Sequence, residues 1–255
     1  MKTELEKIIY MEHHFPEIFS DMEKRDFGIL FYNKNNFDSN DSNHAIITKK
    51  CDYEAVLQEI KDFYLSKSLE PLIYSSLEEN QLNEMSEYLT NSGFHINDYG
   101  YKDYLVWSGK TSIVEPYSLT FERFTKNSDF DVFSELVESA SLFRISEVIR
   151  RRVNDPNYYL FIGYDGEIPV VMASFQLDKN LTAMLDEVET AENQRGKGYA
   201  RQITRHITNE FEKQGGKLFY TWAANETAQR VYLQGGFEVK YKLHSWSAYI
   251  ERELK

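Results

Sequence analysis

The chain has 255 residues, 42% hydrophobic and 15% aromatic, with a formal net charge of −12. That much apolar material supplies cores for one large domain or two smaller ones, while so acidic a surface repels a phosphate backbone and argues against nucleic acid as a partner. No run approaches the roughly 20 apolar residues of a membrane span, and Lys2, Glu4, Glu6 and Lys7 break any leader-like apolar start, so a cytoplasmic protein away from membranes is expected.

In chain order, residues 27–32 and 45–48 read as short strands with a polar Asn/Asp/Ser loop between them. Residues 53–66 place Val56, Leu57, Ile60, Phe63 and Tyr64 at helical spacing. A strand is expected at 72–74, then a helix over 80–91 that stops at Ser92-Gly93-Phe94, and an aromatic strand near 101–107. A linker follows near 109–116, where Ser108-Gly109-Lys110-Thr111 precedes Pro116. These boundaries define a smaller α/β N-terminal domain, residues 1–112, and a C-terminal domain, residues 116–255. The second domain reads as a strand at 119–124, two helices over 130–154, and a hairpin of 158–164 with 170–177 turned by Asp165-Gly166. A strand ending at Thr190, a helix over 199–214, a strand at 217–223 and an Asn225-capped helix come next, before two final strands at 237–241 and 245–251.

Two motifs carry chemistry. Arg195-Gly196-Lys197-Gly198-Tyr199-Ala200 lies between the strand-like run 184–190 and a helix start. Successive main-chain N–H groups feeding a helix N-terminus form an anion site, reinforced by the helix dipole. Gly198 can take backbone angles closed to other residues, and Arg195, Lys197 and Arg201 add charge. The spacing fits neither a Walker loop, which ends in Gly-Lys-Ser/Thr, nor a three-glycine dinucleotide fingerprint. The second motif, Asn225, Ala228, Tyr232 and Gly236-Phe237, puts three residues on one helical face ahead of a glycine stop. Tyr232 taken alone reads as a core aromatic.

Together these motifs resemble the GNAT N-acetyltransferase superfamily, whose pattern Arg/Gln-x-x-Gly-x-Gly/Ala stands here as Arg195, Gly198 and Ala200 and whose second signature stands as Asn225, Ala228, Tyr232 and Gly236-Phe237. The resemblance spans residues 116–255 and implies a mixed-sheet α/β fold, acetyl-CoA as cosubstrate and transfer to the primary amine of a small molecule or peptide. It implies that the fourth and fifth strands of the domain splay, that the main chain of Val188 and Thr190 pairs with the pantetheine arm, and that residues 195–200 and Asn225 hold the rest of the cofactor. It also matches Tyr232 to the acid that protonates the departing thiolate and Asp186 to the base, with Glu187 as the second choice. Strand alternation sends Asp186 to one face and Glu187 and Glu189 to the other. The resemblance places the acceptor pocket around Ser141-Leu142-Phe143-Arg144, Asp186 and His244-Ser245-Trp246. There Phe143, Tyr159 and Trp246 line a wall or belong to the core. A non-catalytic acetyl-CoA sensor with the same fold is the alternative.

The strand, helix, Gly-Phe, strand order around Phe94 echoes that around Phe237, with Leu89 where the second copy has Tyr232. No Gly-x-Gly/Ala loop follows an N-terminal strand. The first domain is either a degenerate GNAT-like copy that shapes the acceptor pocket or a homodimer interface, or an unrelated α/β domain. Cys51, the single cysteine, reads as a structural thiol, and the six histidines lack metal-helix spacing, so no metal is expected.

Overall fold

The computed structural model describes residues 2–110 and 117–251, so most of the expected linker, residues 111–116, lies outside the described residues. In chain order the elements are α1 (Glu4–His14), β1 (Asp21–Arg25), β2 (Gly28–Tyr32), β3 (Ala45–Ile47), α2 (Tyr53–Ser66), β4 (Leu72–Tyr74), α3 (Gln81–Asn91) and β5 (His95–Trp107). They continue with β6 (Thr120–Phe124), α4 (Phe133–Leu136), α5 (Ser139–Arg152), β7 (Tyr158–Asp165), β8 (Ile168–Leu177), β9 (Thr182–Thr190), α6 (Tyr199–Lys213), β10 (Leu218–Trp222), α7 (Glu226–Gln234) and β11 (Phe237–Tyr249). The chain forms two compact units, one of residues 1–11 with 103–241 and one of residues 12–102 with 242–255. No helix among the described residues is long and apolar enough to cross a membrane.

The unit of residues 103–241 orders its strands β6-β7-β8-β9-β10, followed by the 103–107 end of β5. β6, β7, β8 and β9 pair antiparallel in turn, β9 pairs parallel with β10, and β10 pairs antiparallel with β5. Gly166, at φ +63°, closes the β7–β8 turn in a conformation that Asp-Gly permits. A parallel pair needs a long crossover, and α6 supplies it, burying Ile203, Ile207 and Phe211, four residues apart, against Phe175, Phe219 and Ala183. On the opposite sheet face Phe133, Leu136 and Ile149 of α4 and α5 cover Leu160, Ile162 and Met172. Each such side chain contributes about 1.5–3 kcal/mol on burial.

The unit of residues 12–102 and 242–255 has the order β1-β2-β3-β4, followed by the 242–249 end of β11. Its pairings run antiparallel, antiparallel, parallel, antiparallel, the same succession of senses as β7-β8-β9-β10-β5 in the first unit. Here α2 makes the parallel crossover. Asp52 caps it by accepting from Ala55 N at 3.3 Å, and Val56, Leu57, Ile60 and Tyr64 form its buried face. α3 stops where Gly93 turns to φ +82°, with Phe94 N donating to Leu89 O at 2.9 Å, and α7 stops where Gly236 turns to φ +88°.

The structure departs from the sequence reading at both ends. α1 and β1 were not expected, because the only apolar residues that α1 fully buries are Ile8 and Met11 and β1 is a charged edge with Met22 as its one apolar residue. The two final strands are one 13-residue strand, β11, since Lys242, Leu243 and His244 continue the extended backbone without a turn residue.

One glycine is fixed by space rather than by its angles. A Cβ at Gly28 would lie 1.9 Å from Ile46 O on the paired strand β3. Gly28→Ala is expected to destabilise the protein by about 1–3 kcal/mol through forced separation of β2 from β3, measured as a lowered midpoint in urea unfolding.

Candidate active site

The loop between β9 and α6 is built from two glycines in the left-handed region, Gly196 at φ +82° and Gly198 at φ +81°, with Gly198 as the N-cap of α6. Among the described residues the main-chain N–H groups of Gly196, Lys197 and Gly198 donate to no main-chain carbonyl. Those of Tyr199 and Ala200 belong to the first helical turn, where no intrahelical acceptor exists. Nothing lies within 4 Å of a Cβ built on Gly196, whereas one on Gly198 would meet Arg201 Nη2 at 2.9 Å. The result is an open row of donors at the positive end of a 15-residue helix. Tyr199 fixes the helix start by donating its hydroxyl to Asp165 Oδ2 at 2.5 Å, and Ala200 O accepts from Thr204 Oγ1 at 2.8 Å. Two of the basic side chains are engaged locally: Arg195 Nε donates to Thr190 O at 3.2 Å and Lys197 Nζ to Gln194 Oε1 at 2.7 Å.

β9 leaves β10 beside this loop. Their register runs from Leu218↔Thr182 to Tyr220↔Met184, and Thr221 Oγ1 then donates to Leu185 O at 3.0 Å. Beyond that point residues 186–190 keep their pairing only with β8 among the described strands, as far as Val171↔Thr190. One edge of the main chain at Val188 and Thr190 is therefore turned away from any β10 pairing.

The β8–β9 register also carries a bulge. Asp186 opposes Ser174 and Glu189 opposes Met172, so Glu187 and Val188 stand against Ala173 alone. Glu187 absorbs the extra residue at φ +53°, a conformation that costs a non-glycine residue about 1–3 kcal/mol. Directly opposed residues share a sheet face, and Met172 packs among α4 and α5 side chains. Asp186 and Glu189 thus point to the α5 face, and Glu187 joins them there. The alternation expected from the sequence, which separated Asp186 from Glu187 and Glu189, is overturned by this added residue, and Val188 packs on the opposite core.

Arg152, the last residue of α5 and 2% exposed, answers two of these charges. Its Nη1 donates to Asp186 Oδ2 at 2.8 Å and to Glu187 Oε1 at 3.0 Å, and its guanidinium lies 4.5 Å from the centre of the Tyr158 ring. The Tyr158 hydroxyl donates to Glu187 Oε2, and Glu187 N donates to Asp186 Oδ1 at 2.8 Å. Burial opposes the Arg152 charge, but Glu187, Tyr158 and Asp186 outweigh it and raise its pKa. Burial drives the Glu187 carboxyl up from its ordinary value while Arg152 pulls it back. The Arg150-Arg151-Arg152 run carries no sequence signal for this role, since basic residues in a last helical turn are ordinarily solvated complements of the dipole.

Tyr232, on α7 and 7% exposed, borders the same region. Burial, then the charges of Asp186 and Glu189, push its phenol above the ordinary value, so it keeps its proton at neutral pH. Asn225 caps α7, its Oδ1 accepting from Ala228 N at 3.0 Å. Of the expected acceptor-side residues, Phe143 is exposed on α5 and Tyr159 stacks on Phe175 in the core. Trp246 and His244 belong to the other unit, Trp246 in its core and His244 Nε2 within 2.8 Å of Asp98 Oδ1. Burial raises the Cys51 thiol, which keeps it from acting as a thiolate.

Residues 130–244 match the family model described as an acetyltransferase (GNAT) domain. Solved structures share the fold across the whole chain. A GCN5-related N-acetyltransferase from Kribbella flavida has a TM-score of 0.69 at 13% identity, covering 96% of this chain and 95% of its own. A GCN5-related N-acetyltransferase-like protein from Streptococcus suis has a TM-score of 0.58 at 13% identity, covering 95% and 93%. A tandem GNAT protein from the clavulanic acid biosynthesis pathway has a TM-score of 0.55 at 11% identity, covering 82% and 76%. None of the curated proteins matches this sequence. Family and fold together support acyl transfer as the class of reaction.

Arg152→Met leaves two carboxylates on the α5 face without their cation and is expected to cost about 3–5 kcal/mol at neutral pH. Removing the cation raises the Glu187 carboxyl further, so the deficit is largest above the carboxylate range and shrinks as falling pH protonates Glu187. Urea unfolding of wild type and variant at acidic and neutral pH measures this; a deficit independent of pH would contradict it.

Proposed function

We propose that the protein moves an acetyl group from acetyl-CoA to the primary amine of a small molecule or peptide. The observation that carries this reading is the pairing of two features at one end of β9: an open row of N–H donors over residues 196–200 and a main-chain edge at 186–190 released from β10. When bound, acetyl-CoA supplies a thioester carbonyl open to attack by nitrogen. The N–H groups of 196–200 suit its diphosphate, with Arg195, Lys197 and Arg201 nearby, and the free edge of Val188 and Thr190 suits the amides of its pantetheine arm. Tyr232 holds a proton for the leaving thiolate. An alkyl ammonium, with pKa near 10, must lose a proton before it attacks, and Asp186, Glu187 and Glu189 lie together on the face where α5 packs.

The unit formed mainly by the N-terminal half is read as a degenerate copy of the same fold. It repeats the order of pairing senses, but residues 48–52 between β3 and α2 contain no glycine, so nothing there takes the part of Gly196 and Gly198.

Three measurements test the assignment. Acceptor-dependent thiol release from acetyl-CoA with an amine panel is expected; binding without release would favour a sensor. Gly198→Val places a branched Cβ at φ +81° and against Arg201, so acetyl-CoA affinity should fall at least about tenfold by calorimetry, and unchanged affinity would remove the cradle. Tyr232→Phe should lower kcat by about 10²-fold or more with cofactor affinity nearly intact.

A further inference from the structure

We propose that Glu189, rather than either carboxylate bound by Arg152, takes the proton from the acceptor amine. This rests on the acetyltransferase reading. The bulge puts three carboxylates on the α5 face, and their surroundings separate them. Asp186 has Oδ2 on Arg152 and Oδ1 on the Glu187 main chain; Glu187 has Oε1 on Arg152 and Oε2 on the Tyr158 hydroxyl. All four oxygens are committed to holding the bulge. Both carboxylates already share their charge with Arg152, so a proton taken from an ammonium would weaken the ion pairs that fix the bulge.

Glu189 is placed differently. It is half-buried at the far end of the bulge, opposite Met172, and among the described residues no hydrogen bond or ion pair holds its carboxylate. Its charged surroundings come from three elements besides β9. Arg195 of the phosphate-binding loop attracts it, Glu138 at the N-cap of α5 repels it, and it acts in turn on the Tyr232 phenol of α7. Arg152 and the carboxylates Asp186 and Glu187 also carry charge on this face. Burial raises the Glu189 carboxyl above its ordinary value, which brings it closer to the pH at which a base both loses and accepts a proton. Glu189 thus stands between the loop that suits the diphosphate and the helix on the acceptor side, in electrostatic contact with the residue assigned to protonate the thiolate.

The step balances as follows. The ammonium gives one proton to the Glu189 carboxylate, and its freed nitrogen pair forms the N–C bond to the thioester carbonyl. The C–S bond breaks as the carbonyl re-forms, the thiolate takes the Tyr232 proton, and the nitrogen's second proton passes to solvent.

The test compares Glu189→Gln, Glu189→Asp, Asp186→Asn and Glu187→Gln. Glu189→Gln is expected to lower kcat/KM for the amine by about 10²–10⁴-fold, to abolish the acidic limb of its pH profile, and to leave the calorimetric affinity for acetyl-CoA unchanged. Glu189→Asp should keep the limb with reduced rate. Asp186→Asn and Glu187→Gln should keep it even where they lower stability. An intact limb in Glu189→Gln, or its loss in Asp186→Asn with Glu189 present, overturns the assignment while wild-type turnover leaves the transferase reading standing. Wild-type protein that binds acetyl-CoA but releases no thiol with any amine sinks both.

Discussion

A buried guanidinium shared by two adjacent carboxylates is the constraint from which the site follows. Glu187 adopts a backbone angle that a strand residue avoids, and it stays there because Arg152 and Tyr158 hold its side chain while Asp186 takes its N–H. The cluster turns an added residue in β9 into a fixed change of direction. Once the direction changes, all the acidic side chains of the segment share one face, and Val188 is left to fill the opposite core.

The second determinant is what β9 does after Met184. A parallel pair that ends after three matched positions leaves polar main chain exposed, and a strand edge of this kind is ordinarily a liability. In this fold the same unpaired edge lies next to the glycine turn, so the proposed acetyl-CoA would meet donors from the loop and both donors and acceptors from the strand. The local basic residues add to a main-chain site rather than create it, since Arg195 and Lys197 spend their side chains on Thr190 and Gln194. This is how a chain with a net charge of −12 can offer a site to an anion.

Much of the fold was legible because its signals are local. Gly198 before Tyr199, Asp165-Gly166 between β7 and β8, Asn225 ahead of α7, and the apolar spacing of α2 each fix an element from its own residues. The family signature was legible for the same reason. The site's acid–base cluster was not, because it depends on register. Period-two alternation applied to Asp186–Glu189 gives the wrong faces once one residue is added, and nothing in the string Asp-Glu-Val-Glu announces the addition. Arg152 lies 34 residues before Asp186, and only the packing of α5 on β9 brings it there. At the other end, the hairpin expected over 237–251 is a single strand, β11, because no residue around Lys242 to His244 imposes a turn.

Both β5 and β11 serve two masters. β5 gives residues 95–102 to one compact unit and 103–107 to the other, where Tyr104, Leu105 and Val106 pair with β10, while β11 places Ser247, Ala248 and Tyr249 against β4. Severing the chain in the 111–116 segment would therefore not yield two autonomous modules: the carboxyl-terminal fragment would lack the strand that flanks β10, and the amino-terminal fragment the one that flanks β4.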